Sequence, residues 1–212
     1  MGGGKWYRRL TPRRILGRLR RDVDAILKRN RVVFFRCDPI ESGRPRLGEL
    51  VEADLERYEQ WRRTEPDFPW PSPDEGPHRF SEGHRPFALV SEGKPRCYGW
   101  VTVMNSFWID ELKCVCRVDA TMTWIWDCVT PAAMRNRGYY IEFLRALRRK
   151  YRDRELLIYC NSRNAPSHHA IRRAGFQVWA TVTRSPAGTR VCVERPRFGS
   201  GIYATERTST DR

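Results

Sequence analysis

The chain has 212 residues, a mean hydropathy of −0.67 and a formal net charge of +15 at pH 7. That length suits one domain with room for a proper core. No apolar run approaches the ~20 residues of a membrane span, and the Arg- and Lys-interrupted N-terminus contains no signal-peptide core. MGGGKW lacks the Ser or Thr of a myristoylation signal at its sixth position. The expected location is the cytoplasm, with the inner face of the membrane as the one variant. Seven cysteines, an odd number without a C-x-x-C pair, read as small buried hydrophobes and not as a disulfide or zinc framework. The histidines offer no ligand set: His78 and His84 fall in an expected loop, and His168 and His169 are adjacent on an expected helix.

Charge is uneven along the chain. Residues 1 to 36 hold twelve Lys or Arg against two Asp. Thr11-Pro12 reads as a helix start, and Ile15, Leu16, Leu19, Val23, Ile26 and Leu27 form an apolar stripe among arginines. Residues 1–31 are therefore read as a basic amphipathic helix. It either packs on the domain or lies on an anionic membrane surface, an acidic partner or, less well supported by aromatic residues, nucleic acid. Val32–Phe35 reads as a strand. RLGELVEADLERYEQWRR reads as a short strand and a helix whose packing side carries Leu55, Tyr58, Glu59 and Trp61. Glu65 to Pro77, with five prolines, is expected to be a non-helical loop, with Phe68 and Trp70 pinning it or lining a site.

A hairpin is expected from Phe87–Val90 and Tyr98–Met104 about Glu92-Gly93, followed by strand material at Ser106–Leu112 and Val115–Ala120. The stretch from Trp124 to Phe176 then reads strand, Arg-rich turn, helix, strand, helix. Its first helix has Tyr140, Phe143, Leu144, Leu147 and Tyr151 on one face and Arg145, Arg148, Arg149 and Arg152 on the other. A strand, crossover helix and second strand make a βαβ unit. VWATVT and TRVCVE form a last hairpin, and the tail over 199–212 reads as polar and frayed. Antiparallel hairpins feeding one parallel unit imply a mixed sheet with helices on both sides.

In the turn, Arg135, Asn136, Arg137 and Gly138 stand where a strand gives way to a helix. Free backbone N–H groups and the positive helix end suit a phosphate or pyrophosphate there. This turn does not stand alone. Val129 and Pro131 end the strand, Arg135 and Gly138 form an RxxG, and Asn164, Ser167, Gly175 and Phe176 close the unit. The pattern resembles the acetyl-CoA-binding core of the GNAT superfamily of N-acetyltransferases, over about a quarter of the chain. The resemblance implies an α+β, or mixed α/β, fold over 32–198: a twisted mixed sheet with helices on both faces, preceded by the basic N-terminal helix. Three positions depart from it. The loop from Val129 to Arg135 is one residue longer, Tyr140 replaces a small residue, and Ile171 replaces the tyrosine that many members use to protonate the leaving thiolate.

The resemblance further implies an acyltransferase that moves an acyl group from acetyl-CoA or another acyl-CoA to an amine by direct attack, with no metal. It places the co-substrate on Cys128, Val129, Arg135, Asn136, Arg137, Gly138, Tyr139, Asn164 and Ser167. Asp127 is the first candidate base. Strand alternation sets it with Ile125 and Val129, opposite Trp124, Trp126 and Cys128, and apolar neighbours would raise its pKa. Glu111 and Asp110, beside Trp108, are the next carboxylates. Tyr140, Tyr139 or His168 could stand in for the absent acid. The acceptor, whether antibiotic, amino sugar, polyamine or protein amine, is not specified. Two other functions fit the residues: a GNAT-fold binding module without catalysis, and a membrane- or nucleic-acid-associated protein acting through its basic arm.

Overall fold

A computed structural model describes residues 31–37, 46–66, 68–185, 188–193 and 202–205. The strands are β1 (Arg31–Cys37), β2 (Glu49–Glu52), β3 (Arg85–Ser91), β4 (Lys94–Ile109), β5 (Cys114–Val129), β6 (Leu156–Asn161), β7 (Gln177–Ser185), β8 (Gly188–Val193) and β9 (Ile202–Thr205). The helices are α1 (Leu55–Thr64), α2 (Glu75–Ser81), α3 (Tyr139–Lys150) and α4 (Ala165–Arg173). The expected helix over 1–31 lies outside the described residues, except Arg31, which opens β1.

The sheet runs β2-β3-β4-β5-β6-β1-β7-β8, with β9 added to the outer part of β5. Only β5 and β6 pair in parallel among the described strands. β1 is antiparallel to both of its neighbours, β6 and β7. Its run Val32–Phe35 has no polar residue because both faces of the sheet are covered there. Val33 and Phe35 enter one core cluster, and Val32 and Phe34 enter another.

α3 and α4 cover the first face. Phe143, Leu144 and Leu147 of α3 and Ile171 of α4 are fully buried against Phe35, Phe87, Val101 and Ile125. The arginine side of α3 is less solvated than its periodicity suggests. Arg145 and Arg148 donate to the carbonyls of Arg173 and Ala174, and Arg149 Nη2 lies 2.9 Å from buried Glu142 Oε1. The Arg145 and Arg148 bonds fasten α3 to the end of α4, and the Arg149–Glu142 pair lies within α3. On the opposite face, α1 and α2 enclose Tyr58, Trp61, Phe68, Tyr98 and Trp100. Burial pushes the Tyr58 phenol up to about 12.

Several expectations need correction. Leu55 is exposed, because it is the first residue of α1 and only the next turn reaches the sheet; Tyr58 and Trp61 do the packing. Ser106–Leu112 and Val115–Ala120 are not separate strands. The first continues β4 as far as Ile109 and turns at Leu112, and the second is the start of the 16-residue β5. Glu75–Ser81 is helical despite Gly76 and Pro77. Both lie in the first turn, where backbone N–H groups need no intrahelical acceptor. His78 therefore sits on a helix. The tail is not frayed throughout, since Ile202–Thr205 pairs with Val115–Val118 and Ile202 is buried.

Candidate functional site

The β5–β6 ladder contains only three pairs, Thr123 with Leu156, Trp124 with Leu157 and Ile125 with Ile158. Beyond Ile125 the strands part, while β5 stays bonded to β4 through Trp126 and Val129. A crevice opens in the sheet. A cavity of about 630 Å³ occupies it, joining the α3–α4 face to the turn between β4 and β5.

A β-bulge forms the edge of this crevice. Trp126 faces Trp100 and Val129 faces Tyr98, so Asp127 and Cys128 together oppose Gly99. Asp127 takes the bulge conformation, with φ at +46°. The added residue overturns the expected alternation. Ile125 and Cys128 pack on the α3 cluster, whereas Trp126 and Val129 join the α1–α2 cluster. Asp127 does not lie among apolar neighbours: its Oδ2 accepts from Arg79 Nη1 at 2.6 Å. Arg79 also donates to Glu75 and stacks over Trp126 and Trp100. Burial opposes the charge of Arg79, but the bonds and charges of Asp127 and Glu75 outweigh it and raise its pKa.

At the α3 end, Gly138 caps the helix with φ at +83°, a left-handed conformation that suits glycine. Its carbonyl accepts from Glu142 N, and the first-turn amides of α3 have no intrahelical acceptor. Arg135, Asn136 and Arg137 are exposed beside them, and Arg135 Nε donates to the Thr130 carbonyl. The longer loop is absorbed by a 3-10 turn over Ala132–Met134. Asn164 caps α4 by accepting from Ser167 N, as its position in the sequence implies. The Tyr140 hydroxyl lies 3.5 Å from Ser167 Oγ. Burial, with the Cys128 thiol nearby, holds the Tyr140 phenol well above its usual range. Ile171 is wholly buried and cannot reach the crevice.

Of the residues expected at the site, Asp127, Cys128, Tyr140, Asn164, Ser167 and Glu111 line the cavity. Asp110 lines it too, and its pKa is lowered by hydrogen bonds from Lys113 and Trp108 Nε1. Arg135 to Tyr139 and Val129 are not among the lining residues; Arg135, Asn136 and Arg137 form the exposed turn before α3, and Val129 packs against the α1–α2 cluster. Phe68 and Trp70 do not line the cavity either. They stack on each other and on Tyr98 in the core. His168 packs edge-on against Phe35.

The sequence reading missed Arg79, Glu82, His84, Phe107 and Tyr159, all in the lining. Phe107 packs against Trp124, Trp126 and Tyr159, so this end of the cavity has an aromatic wall with carboxylates at its rim. No spacing rule marks these residues, because four separate elements contribute them. Among the described residues, no three His, Cys, Asp or Glu side chains are grouped as metal ligands, and no helix is long and apolar enough to cross a membrane.

No family model matches the sequence, and no curated protein matches it. Among solved structures, the chain is similar to a GNAT-family acetyltransferase from Colwellia psychrerythraea, at 12% identity and a TM-score of 0.49. That match covers 70% of this chain and 52% of the other, so the chain spans about half of that relative. A GCN5-related N-acetyltransferase from Sphaerobacter thermophilus matches at 17% identity over 85% of this chain and 57% of its own, with a TM-score of 0.43. An aminoglycoside N-acetyltransferase AAC(6')-Iy, in complex with CoA, matches at 13% identity over 61% and 91%, with a TM-score of 0.42. Scores and identities this low lend no weight to an activity. The fold itself is plain in the strand order, the parted β5 and β6 and the turn before α3: it is a mixed sheet with helices on both faces, as the sequence motifs imply.

Proposed function

We propose that the protein is an acyl-CoA-dependent N-acyltransferase, carrying an acetyl or related acyl group from a CoA thioester to an amine. One observation supports this above the others. A single crevice runs from a phenol and a serine, Tyr140 at the start of α3 and Ser167 at the start of α4, to an aromatic wall rimmed by carboxylates, and the turn over 135–138, with Arg135 and Arg137 exposed, directly precedes α3.

The residues at the α3 end fit a CoA pyrophosphate. Gly138 leaves the first-turn amides uncovered, and Arg135 and Arg137 add positive charge. A bound acyl-CoA would supply the activated carbonyl and a thiolate leaving group. Backbone beyond Ile125 has no β6 partner, so N–H groups of the bulge segment are free of that ladder to stabilise developing negative charge. Tyr140 keeps its proton and is a weak acid compared with a thiol of pKa about 8.5. Its role is hydrogen-bond donation at the departing sulfur rather than full proton transfer, with Ser167 orienting the hydroxyl. At the other end, Glu111, Asp110 and Asp127 attract an ammonium group to the aromatic wall.

Calorimetric titration with acetyl-CoA and CoA tests the reading. Binding is expected in the micromolar range and should weaken about 10- to 100-fold in Arg135→Ala/Arg137→Ala, the scale of one or two lost charged hydrogen bonds. Absence of binding to either ligand would leave a fold without its co-substrate and refute the proposal.

A further inference from the structure

Among the described residues, Glu92, Lys113, Asp127 and Asn136 are the non-glycine positions with positive φ. Glu92, Lys113 and Asn136 lie in turns, where such a value is ordinary. Asp127 lies inside β5. A bulge whose first residue is left-handed usually has glycine there. Aspartate is one of the few side chains that enter this region of backbone space, and it does so less readily than glycine. The conformation therefore calls for a contact that holds it.

Arg79 provides that contact. Its Nη1 donates to Asp127 Oδ2 at 2.6 Å across 48 residues of chain. The guanidinium is only 10% exposed and lies over Trp126 and Trp100, at 4.4 Å and 5.0 Å from the ring centroids. Its Nε donates to Glu75, one turn earlier on α2, at 3.1 Å. The helix itself is seated firmly. Phe80 packs edge-on against Tyr58 and Trp100, and Gly76 stands so close to Tyr58 that a Cβ there would meet the ring at 2.6 Å. One residue of α2 thus fixes one backbone conformation in a distant strand. The bonds from Asp127 and Glu75 keep the guanidinium charged in spite of its burial.

The conformation matters because of what the bulge does on the acyl-transfer reading given above, where its N–H groups stabilise the charge that develops on the thioester oxygen. Such donors work only when aimed at the place the oxyanion will occupy, and losing one costs about 10²- to 10³-fold in kcat. Resting on that reading, we propose that the Arg79–Asp127 ion pair holds the β5 bulge in its left-handed form and so aims these N–H groups at the thioester carbonyl. Arg79 is the positioning residue, and Asp127 is its anchor on the backbone. At the thioester, Asp127 acts through its φ and not through proton transfer.

Isotope-edited infrared spectroscopy of acetyl-CoA labelled with 13C at its carbonyl tests this without any acceptor. In the unaltered protein the bound carbonyl band should lie below that of free acetyl-CoA, because the bulge N–H groups polarise it. Asp127→Asn and Asp127→Gly both accept a left-handed backbone and should keep most of that shift. Asp127→Val, close to aspartate in volume but β-branched, disfavours positive φ and should lose it. A carboxylate acting on the carbonyl by its charge predicts loss in all three alike, and that result would overturn the proposal, as would an equal full shift in all three. Should Asp127→Val fail to bind acetyl-CoA, Asp127→Ala makes the same comparison with less strain. Arg79→Met keeps the aspartate but releases it, and should lose at least half of the shift; full retention would overturn the role of Arg79. Binding of acetyl-CoA to the unaltered protein with no shift would overturn this inference alone. Absence of binding would overturn the acyl-transfer reading instead.

Discussion

The two ends of the crevice are built in opposite ways. The α3 end comes from one contiguous stretch, in which strand, turn and helix follow each other and backbone groups supply the contacts. The other end is assembled from α2 and the residues just before β3, from β4, the β4–β5 turn and β6, and side chains line it. A backbone site depends on a local conformation, so a few residues at fixed spacing reveal it. A side-chain site depends on how distant elements meet, and its residues carry no spacing at all. The lesson is that a site built from one stretch is written locally and a site built from several elements is not.

Substitutions can separate the ends. The largest effect is expected for Gly138→Trp, which strains a left-handed position and covers the α3 amides. Acetyl-CoA affinity measured by calorimetry should fall by more than about 100-fold, on the order of 3 kcal/mol. Unchanged affinity would remove the α3 turn from the site. Next comes Arg79→Met at the other end. It leaves Asp127 and Glu75 without their guanidinium and removes the contacts over Trp126 and Trp100, and a loss of about 3 kcal/mol in urea unfolding is expected. Acetyl-CoA affinity should survive, because no contact of Arg79 involves the α3 turn. If it fell as far as in Gly138→Trp, the two ends would not be separable units.

The smallest effect concerns pH. His84 has a lower pKa folded than unfolded, so the unfolded chain binds more protons as acid is added. Its contribution to stability is complete above about pH 6.5 and is lost as pH falls through the folded value. The urea midpoint should therefore decline on that side, and His84→Gln should flatten the decline. An equal slope in both proteins would show that His84 is solvated.

The contrast also explains what the sequence could reveal. The 3.6-residue apolar period of α3 survived folding because every residue of that face meets the same core. Gly138 and Asn164 were legible as helix starts because capping geometry ties them to their neighbours. The face of Asp127 was misread, since one inserted residue at a bulge reverses every later side chain of a strand. α2 was missed because Gly76 and Pro77 usually break helices. Here Pro77 sits where its missing N–H costs nothing, and Gly76 lets the ring of Tyr58 come close. His84 was hidden behind both errors, as a histidine in a supposed loop. β9 is four residues long, too short for any pattern to emerge.

The position of β1 has a consequence for how the chain reaches this structure. The hairpins of β2 to β5 join neighbours and can close as they are made, but β1 must wait for β6 and β7, which lie at the far end of the chain. Long-range pairings of this kind slow folding. During synthesis, Val32–Phe35 is a two-sided apolar strand with both edges open until β6 has emerged at Asn161, and one edge open until β7 has emerged at Ser185, the kind of segment that pairs with the wrong chain. A protein shortened before β7 would thus be expected to fail by aggregation, although its crevice lies almost wholly upstream of the cut.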